Sequence, residues 1–271
     1  MGDDSENKIQ EQLFSQRFPR SAKYNPAWVM ANASGGANSL WITEWLTEAL
    51  ELRPGMRVLD LGCGRACSSI FLHREFGVQV WATDLWFSAA ENIQRIRDAG
   101  ADDGVFPFHA DARSLPFAPD FFDAIISIDS FPYYGTDALY MNCGAGVTHE
   151  IVGPLPEHLR EWWTGELWAF HSADWWRQHW ERSGIVDVEL AETMPEGWKH
   201  WVAWHYAIAP DNAVEIKAIE EDAGRTLGYV RIVARRKPAK LEEYCWPDTL
   251  KFFPMQPYAK EPLLRGDANN P

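Results

Sequence analysis

The sequence predicts an α/β fold, a doubly wound and mostly parallel sheet, and three observations carry that prediction. Short apolar runs of strand length alternate with stretches of helical periodicity, the pattern of strands joined by crossover helices. The early runs end in a glycine turn or an aspartate, as strands do at the ligand-binding edge of such a sheet. Finally, 46% hydrophobic and 14% aromatic residues in 271 supply a core for one large domain.

The elements follow in order. Over Asn38–Leu50, Leu40, Trp41, Trp45, Leu46, Ala49 and Leu50 recur at helical spacing, and Arg53-Pro54-Gly55 ends the helix. Val58–Leu61 is a strand that runs into Gly62-Cys63-Gly64. Ser68–Phe76 is a helix stopped by Gly77, and Val78–Thr83 a strand ending at Asp84. Ser88–Ala99 is a helix stopped by Gly100. Val105–His109 and Phe122–Ile128 are the third and fourth strands, followed by Asp111 and Asp129. Right-handed crossovers bring all four C-terminal ends to one edge. Later, Val186–Leu190 and Tyr229–Ala234 read as strands and Ala213–Gly224 as a helix. Nine of fifteen tryptophans lie between Trp162 and Trp204, which predicts a helical, aromatic cap over about 153–205. The expected organisation is an extension over 1–24, the domain over 25–237 and a proline-rich tail over 238–271.

Thirty-nine acids against twenty-five bases give a formal charge of −14. That balance repels phosphate backbones, so nucleic acid and anionic membrane are poor partners. No apolar run reaches the roughly 18–20 residues of a membrane span. The opening residues lack the basic-then-apolar layout of a signal peptide, and the four cysteines form no disulfide or zinc framework. Reduced thiols in a cytoplasmic protein are the expectation.

Asp60-Leu-Gly-Cys-Gly-Arg-Ala66 sits between a strand and a helix, where Gly62 and Gly64 allow a tight turn and a close ligand. Alone it could be an ordinary βα turn. Asp84 lies 20 residues beyond Gly64, after the neighbouring strand, where an acid reaches a nucleoside ribose. A dinucleotide would want a third glycine, and the chain has Ala66 or Ser68 there. Asp60 would repel a pyrophosphate but suits the ammonium of a methionyl group. S-adenosylmethionine is therefore favoured over NAD.

Val58-Leu-Asp-Leu-Gly-Cys-Gly64 resembles motif I of the class I S-adenosylmethionine-dependent methyltransferases, which have Rossmann-like sheets with an antiparallel last strand. Asp84, with Leu85 beside it, matches the family's ribose acid, and His109–Phe117 resembles the stretch whose Asp111 and Ala112 meet the adenine. Phe121–Asp129 resembles the strand that lines the methionyl part. The nearest subgroup is the small bacterial enzymes called cyclopropane-fatty-acid-synthase-like or ubiquinone-biosynthesis-like. In it, Trp28–Trp45 would form a lid, and Gly35-Gly36 would offer amides to the cofactor carboxylate. The resemblance thus implies a cofactor set of Asp60, Gly62, Cys63, Gly64, Asp84, Leu85, Asp111, Ala112, Asp129 and Gly36.

One departure is large. Relatives carry a helix, a Pro-Gly-Gly turn and a fifth, interior strand before the counterpart of Gly144–Glu150, whereas this chain runs straight from Asn142 to Cys143. Either Cys143–Val152 substitutes for the strand or the sheet is crippled, and a crippled sheet would suit a scaffold that has lost catalysis. The catalytic candidates after the strands are Tyr133, Tyr134, His149 and Glu150. A base helps only if the acceptor loses a proton in the transition state. His200 and His205 lack the spacing of a helical metal pair, so no metal is expected.

Overall fold

The computed structural model describes residues 13–34, 36–112, 114–118, 120–134 and 141–238. Met1–Arg236 form one compact unit. Lys237–Pro271 form a second, nearly all of it outside the described residues, as is most of the expected tail.

In chain order the elements are α1 (Pro26–Asn32), α2 (Ser39–Thr47), β1 (Arg57–Leu61), α3 (Cys67–Phe76), β2 (Gln79–Asp84) and α4 (Ala89–Asp98). Then come β3 (Val105–His109), β4 (Ala124–Ile128), β5 (Met141–Val147), α5 (Ala173–Ser183) and β6 (Val186–Thr193). The last three are α6 (Gly197–Ile208), α7 (Ala213–Asp222) and β7 (Leu227–Arg236). Local chemistry sets several boundaries. Asn38 caps α2, Ser88 and Glu91 form a reciprocal capping box on α4, and Gly77 ends α3 in the left-handed region at φ 66°.

All seven strands lie in one sheet, in the order β3-β2-β1-β4-β5-β7-β6. The pairs among β1 to β5 are parallel, and β7 runs antiparallel to β5 and β6. Side chains of β1 serve both faces. Val58 packs with α2 and α3, while Leu59 and Leu61 pack with Trp176 and Trp180 of α5.

Of the two outcomes expected for the fifth slot, a substitute strand or a crippled sheet, β5 is the substitute. It pairs with β4 through Ile126–Met141, Ser127–Asn142 and Ile128–Cys143, and with β7 from Asn142 to Val147. The junction at Asn142–Cys143 lies inside a strand. The substitute begins at Met141 and ends at Val147, not over Cys143–Val152. The link from β4 is residues 129–140, about the dozen that a parallel connection needs.

The 153–205 stretch is partly integral to the sheet: α5 covers one face and β6 is the edge strand beside β7. The aromatic cap proper is the loop 157–170 with α6, where Trp201 stacks on Tyr229 at 5.5 Å and meets Trp162 edge-on at 6.0 Å. The described part of the N-terminal extension is anchored. Phe18 is buried against Trp41, and the Glu44 carboxylate accepts from the backbone N–H groups of Arg20 and Ser21.

Candidate active site

The C-terminal ends of β1, β2 and β4 converge on the glycine turn. Asp60 is fully buried in β1. Its Oδ2 accepts from the hydroxyls of Ser68 and Ser69, both at 2.6 Å, at the start of α3. Its Oδ1 is buried and has no hydrogen-bond partner. Burial pushes its carboxyl up to about 6, against the two serine hydroxyls and with help from Asp84.

Asp84 closes the turn. The Gly64 N–H donates to Oδ2 at 2.8 Å, and the N–H groups of Trp86 and Phe87 donate to Oδ1 at 2.7 and 2.9 Å. Three of the roughly four acceptor positions of a carboxylate are used, and the remaining one is on Oδ2. Gly62 and Gly64 sit at φ 73° and 55°. A Cβ on Gly62 would lie 1.8 Å from the Tyr134 hydroxyl oxygen, and one on Gly64 would lie 1.9 Å from Ser34 Oγ. Both positions exclude a side chain by conformation and by space. Cys63 lies in the turn with its thiol buried, and burial pushes that thiol well above its ordinary value. Cys67 behaves alike, pushed up to about 12 by burial, so neither offers a thiolate.

Asp129, just past β4, takes the left-handed conformation at φ 51°, which is strained for a residue with a side chain. Its Oδ1 accepts from the Ala145 N–H at 3.3 Å and its Oδ2 from the Ala37 N–H at 3.1 Å. It therefore ties β5 to the segment that joins α1 to α2, the N-terminal strap. Burial raises its carboxyl to about 6, against those two N–H groups and with Glu215 adding repulsion. Arg65 holds the same strap through the Ala33 carbonyl at 2.9 Å.

The remaining residues singled out in the sequence fall into two groups. Leu85 and Trp86 are exposed beside Asp84, with Trp86 edge-on to Tyr133 at 4.9 Å. Asp111 and Ala112 follow β3 and are half-buried. Tyr134 packs over Gly62, with its hydroxyl 2.8 Å from the Leu61 carbonyl and 2.7 Å from Ser130 Oγ. His149 and Glu150 bond elsewhere. His149 Nδ1 is 3.0 Å from Thr148 Oγ1. Glu150 accepts from the Ser172 N–H at 2.7 Å, at the start of α5, and pairs with His171 at 3.1 Å. The reason is register: β5 runs four residues past Cys143, which is level with the end of β4, and so carries its loop beyond the glycine turn.

Gly35 lies outside the described residues, and Gly36 uses its carbonyl to accept from His205 Nε2 at 3.0 Å. Sequence reasoning missed Ser34, Ser130, His205 and Glu215. One signal was available for Glu215: Asn212-x-x-Glu215 is a helix-start pattern, and Asn212 does cap α7. The contact of His205 with the strap joins residues 169 apart, which no local pattern encodes. Among the described residues, no cluster of His, Cys, Asp and Glu suits a metal, and no helix is long and apolar enough to cross a membrane.

The arrangement fits a nucleoside ligand with an ammonium group. A carboxylate stands at the end of the second strand for hydroxyls, two glycines expose their backbone, and an unpaired buried carboxylate oxygen lies beneath. Residues 58–145 match a family described as a methyltransferase domain. Methyltransferase GfsG of Streptomyces halstedii is 31% identical over 128 residues, covering 47% of this chain and 45% of that protein. The ubiquinone/menaquinone biosynthesis C-methyltransferase UbiE of Vibrio campbellii is 38% identical over 96 residues, covering 34% of this chain and 36% of that one. The chain thus spans about half, or less, of the length of these two relatives. The solved geranyl diphosphate C-methyltransferase from Streptomyces coelicolor A3(2) shares the fold, with a TM-score of 0.58 at 18% identity over 72% of this chain and 79% of that one. By the domain matched over residues 58–145, the order of the sheet and the glycine turn between two acids, this chain is similar to the class I S-adenosylmethionine-dependent methyltransferases.

Proposed function

We propose that the protein transfers a methyl group from S-adenosylmethionine to a small organic acceptor, mainly by holding the two in line. The observation that carries this reading is the buried, unpaired Oδ1 of Asp60 below a glycine turn whose other side is closed by Asp84. When bound, the cofactor supplies a methyl group on a positively charged sulfur, already a good leaving group. The chain's own residues then act by position. Asp60 receives the ammonium through Oδ1, and Asp84 offers its remaining lone pair to a ribose hydroxyl. Asp111 and Ala112 flank the adenine, and the strap pinned by Asp129 and Arg65 covers the amino-acid end. The exposed pair Trp86 and Tyr133 forms the rim.

The alternative is a cofactor-binding scaffold of the same fold without catalysis; the filled fifth slot of the sheet supports the enzyme reading, and turnover measured beside binding separates the two. The buried free thiols Cys63 and Cys67 suit the reducing cytoplasm. Calorimetric titration with S-adenosylhomocysteine and with NAD tests the cofactor reading. The expected result is saturable binding of the first and none of the second, and NAD saturation would overturn the assignment. A screen of metabolites with methyl-labelled cofactor then identifies the acceptor.

A further inference from the structure

His205, on α6, is 4% exposed. Its Nε2 lies 3.0 Å from the Gly36 carbonyl oxygen and 3.2 Å from Glu215 Oε1. Both partners only accept, so Nε2 carries the hydrogen. In the neutral ring Nδ1 is then a bare lone pair, and that atom is buried with no hydrogen-bond partner among the described residues. Glu215 is itself fixed, because its Oε2 accepts from the Asn212 side-chain amide at 2.9 Å. A carboxylate that orients one ring nitrogen and leaves the other free is the arrangement of a histidine base.

Its place in the fold supports a role at the site. The Gly36 carbonyl that His205 holds belongs to the residue before Ala37, whose N–H donates to Asp129 at the end of β4. The same strap carries Ser34 over Gly64. The charged group facing His205 is Glu215 from α7, which also repels Asp129, the residue that holds the strap through Ala37. On the same helix, Trp201 and Trp204 bury indole N–H groups that also lack partners. Three ring nitrogens on neighbouring turns of α6 therefore await polar atoms that the described protein does not provide, in apolar aromatic surroundings.

We propose that His205, oriented by Glu215, is the general base for an apolar acceptor bearing an acidic hydroxyl, a phenol or an enol. This rests on the methyl-transfer reading above. The hydroxyl proton goes to His205 Nδ1. The acceptor's freed electron pair forms the new bond to the methyl carbon as the carbon–sulfur bond breaks and its pair stays on sulfur. The imidazolium is then stabilised by Glu215 and returns its proton to solvent.

The test uses the full chain, saturated with S-adenosylhomocysteine, and 4-nitrophenol as the probe because its phenolate is coloured. The expected result is a phenolate band from bound probe at a pH where free probe is colourless. His205→Gln retains a donor for the Gly36 carbonyl but has no basic nitrogen. It should lose the band at least tenfold while keeping S-adenosylhomocysteine affinity within about twofold. Glu215→Gln should weaken the band less. Nitrogen-15 spectra of the histidines should show the Nε2–H tautomer at His205 in the free protein. Failure of S-adenosylhomocysteine to bind the wild type would overturn the cofactor reading. Binding of it without a phenolate band, or a band unchanged in His205→Gln, would overturn this one and leave His205 as a pin for the strap.

Discussion

Asp60 shows how a side chain proposed to meet a ligand strains the free protein. Its carboxyl is raised to about 6 because it is buried with one oxygen unpaired. Its ionised form at neutral pH is therefore a cost to the fold. Asp60→Asn keeps an acceptor for Ser68 and Ser69 and removes the charge. It should stabilise the ligand-free protein at pH 7.5 by about 1–3 kcal/mol, the scale of a shift of roughly two pKa units. The same variant should bind S-adenosylhomocysteine at least tenfold more weakly. Thermal denaturation and calorimetry would read the two effects, and a loss of stability would disprove the account. Asp84→Ala has a double effect. It removes the proposed ribose partner and leaves the Gly64, Trp86 and Phe87 N–H groups without their acceptor. Affinity should fall by about one to two decades, since a hydrogen bond to a charged group contributes about 1.5–3 kcal/mol. The melting temperature should fall as well, which a purely ligand-facing acid would not produce.

At the scale of the element, β5 decides most. A strand with two glycines is a weak strand by propensity, yet close packing explains both. A Cβ on Gly144 would meet Asp129 and Phe131 atoms at 3.0–3.1 Å. One on Gly146 would meet the His171 carbonyl oxygen and Val230 at 2.9 Å. Gly146→Val should therefore cost roughly 1–3 kcal/mol by overpacking, despite valine's better strand propensity, as denaturant titration would show. The deletion suspected at Asn142–Cys143 predicts that inserting a helix, a turn and a strand after Asn142 would stabilise the fold. The pairing of β5 reverses that expectation. An insertion there would interrupt a strand bonded on both sides, and the melting temperature should drop. A rise would mean that the slot prefers the longer form.

Over the whole molecule, the titration behaviour follows from two opposed sets of acids. Asp60 and Asp129 are raised, chiefly by burial, to about 6. A carboxyl raised on folding binds its proton better in the folded state, so stability grows as pH falls from above 6 toward 4. In Asp222 burial works to raise the carboxyl, but the Leu227 N–H, His158 and the Thr226 N–H outweigh it and hold it below its ordinary value. Glu150 is likewise held low, with burial outweighed by Ser172 and His171. Their contribution is present above the ordinary carboxylate range and is lost as pH falls below it, through their lowered values. The melting temperature should therefore peak near pH 5, where the net charge of −14 has also been neutralised toward the pI of about 5.0. Cofactor affinity should fall over the same descent, because a protonated Asp60 offers an ammonium no charge. Melting curves and titrations between pH 4 and 8 would show whether the two trends diverge; parallel trends would remove Asp60 from the ligand.

What the sequence by itself determined is what short-range chemistry encodes. The alternation of apolar runs with helical periodicity specifies the first four strands and their helices, and Ser88, Asn38 and Gly77 mark ends that the structure places within a residue or two. Asp60, the two glycines and Asp84 are legible because a strand, a tight turn and a neighbouring strand put them at predictable separations. Only the tertiary structure decided the rest. β5 is too glycine-rich to declare itself, and it exists because β4 and β7 offer it hydrogen bonds on both sides. The edge strand β6 was legible as Val186–Leu190, but the helix α5 before it was hidden in a run of tryptophans that reads as cap, since periodicity cannot say what an apolar face will meet. His205, Glu215 and Asp129 gather at one strap from three separate elements, through contacts as distant as 169 residues in sequence. No local pattern carries such contacts, because they are set by the packing of a cap on a sheet, and that packing is settled only when the whole core closes.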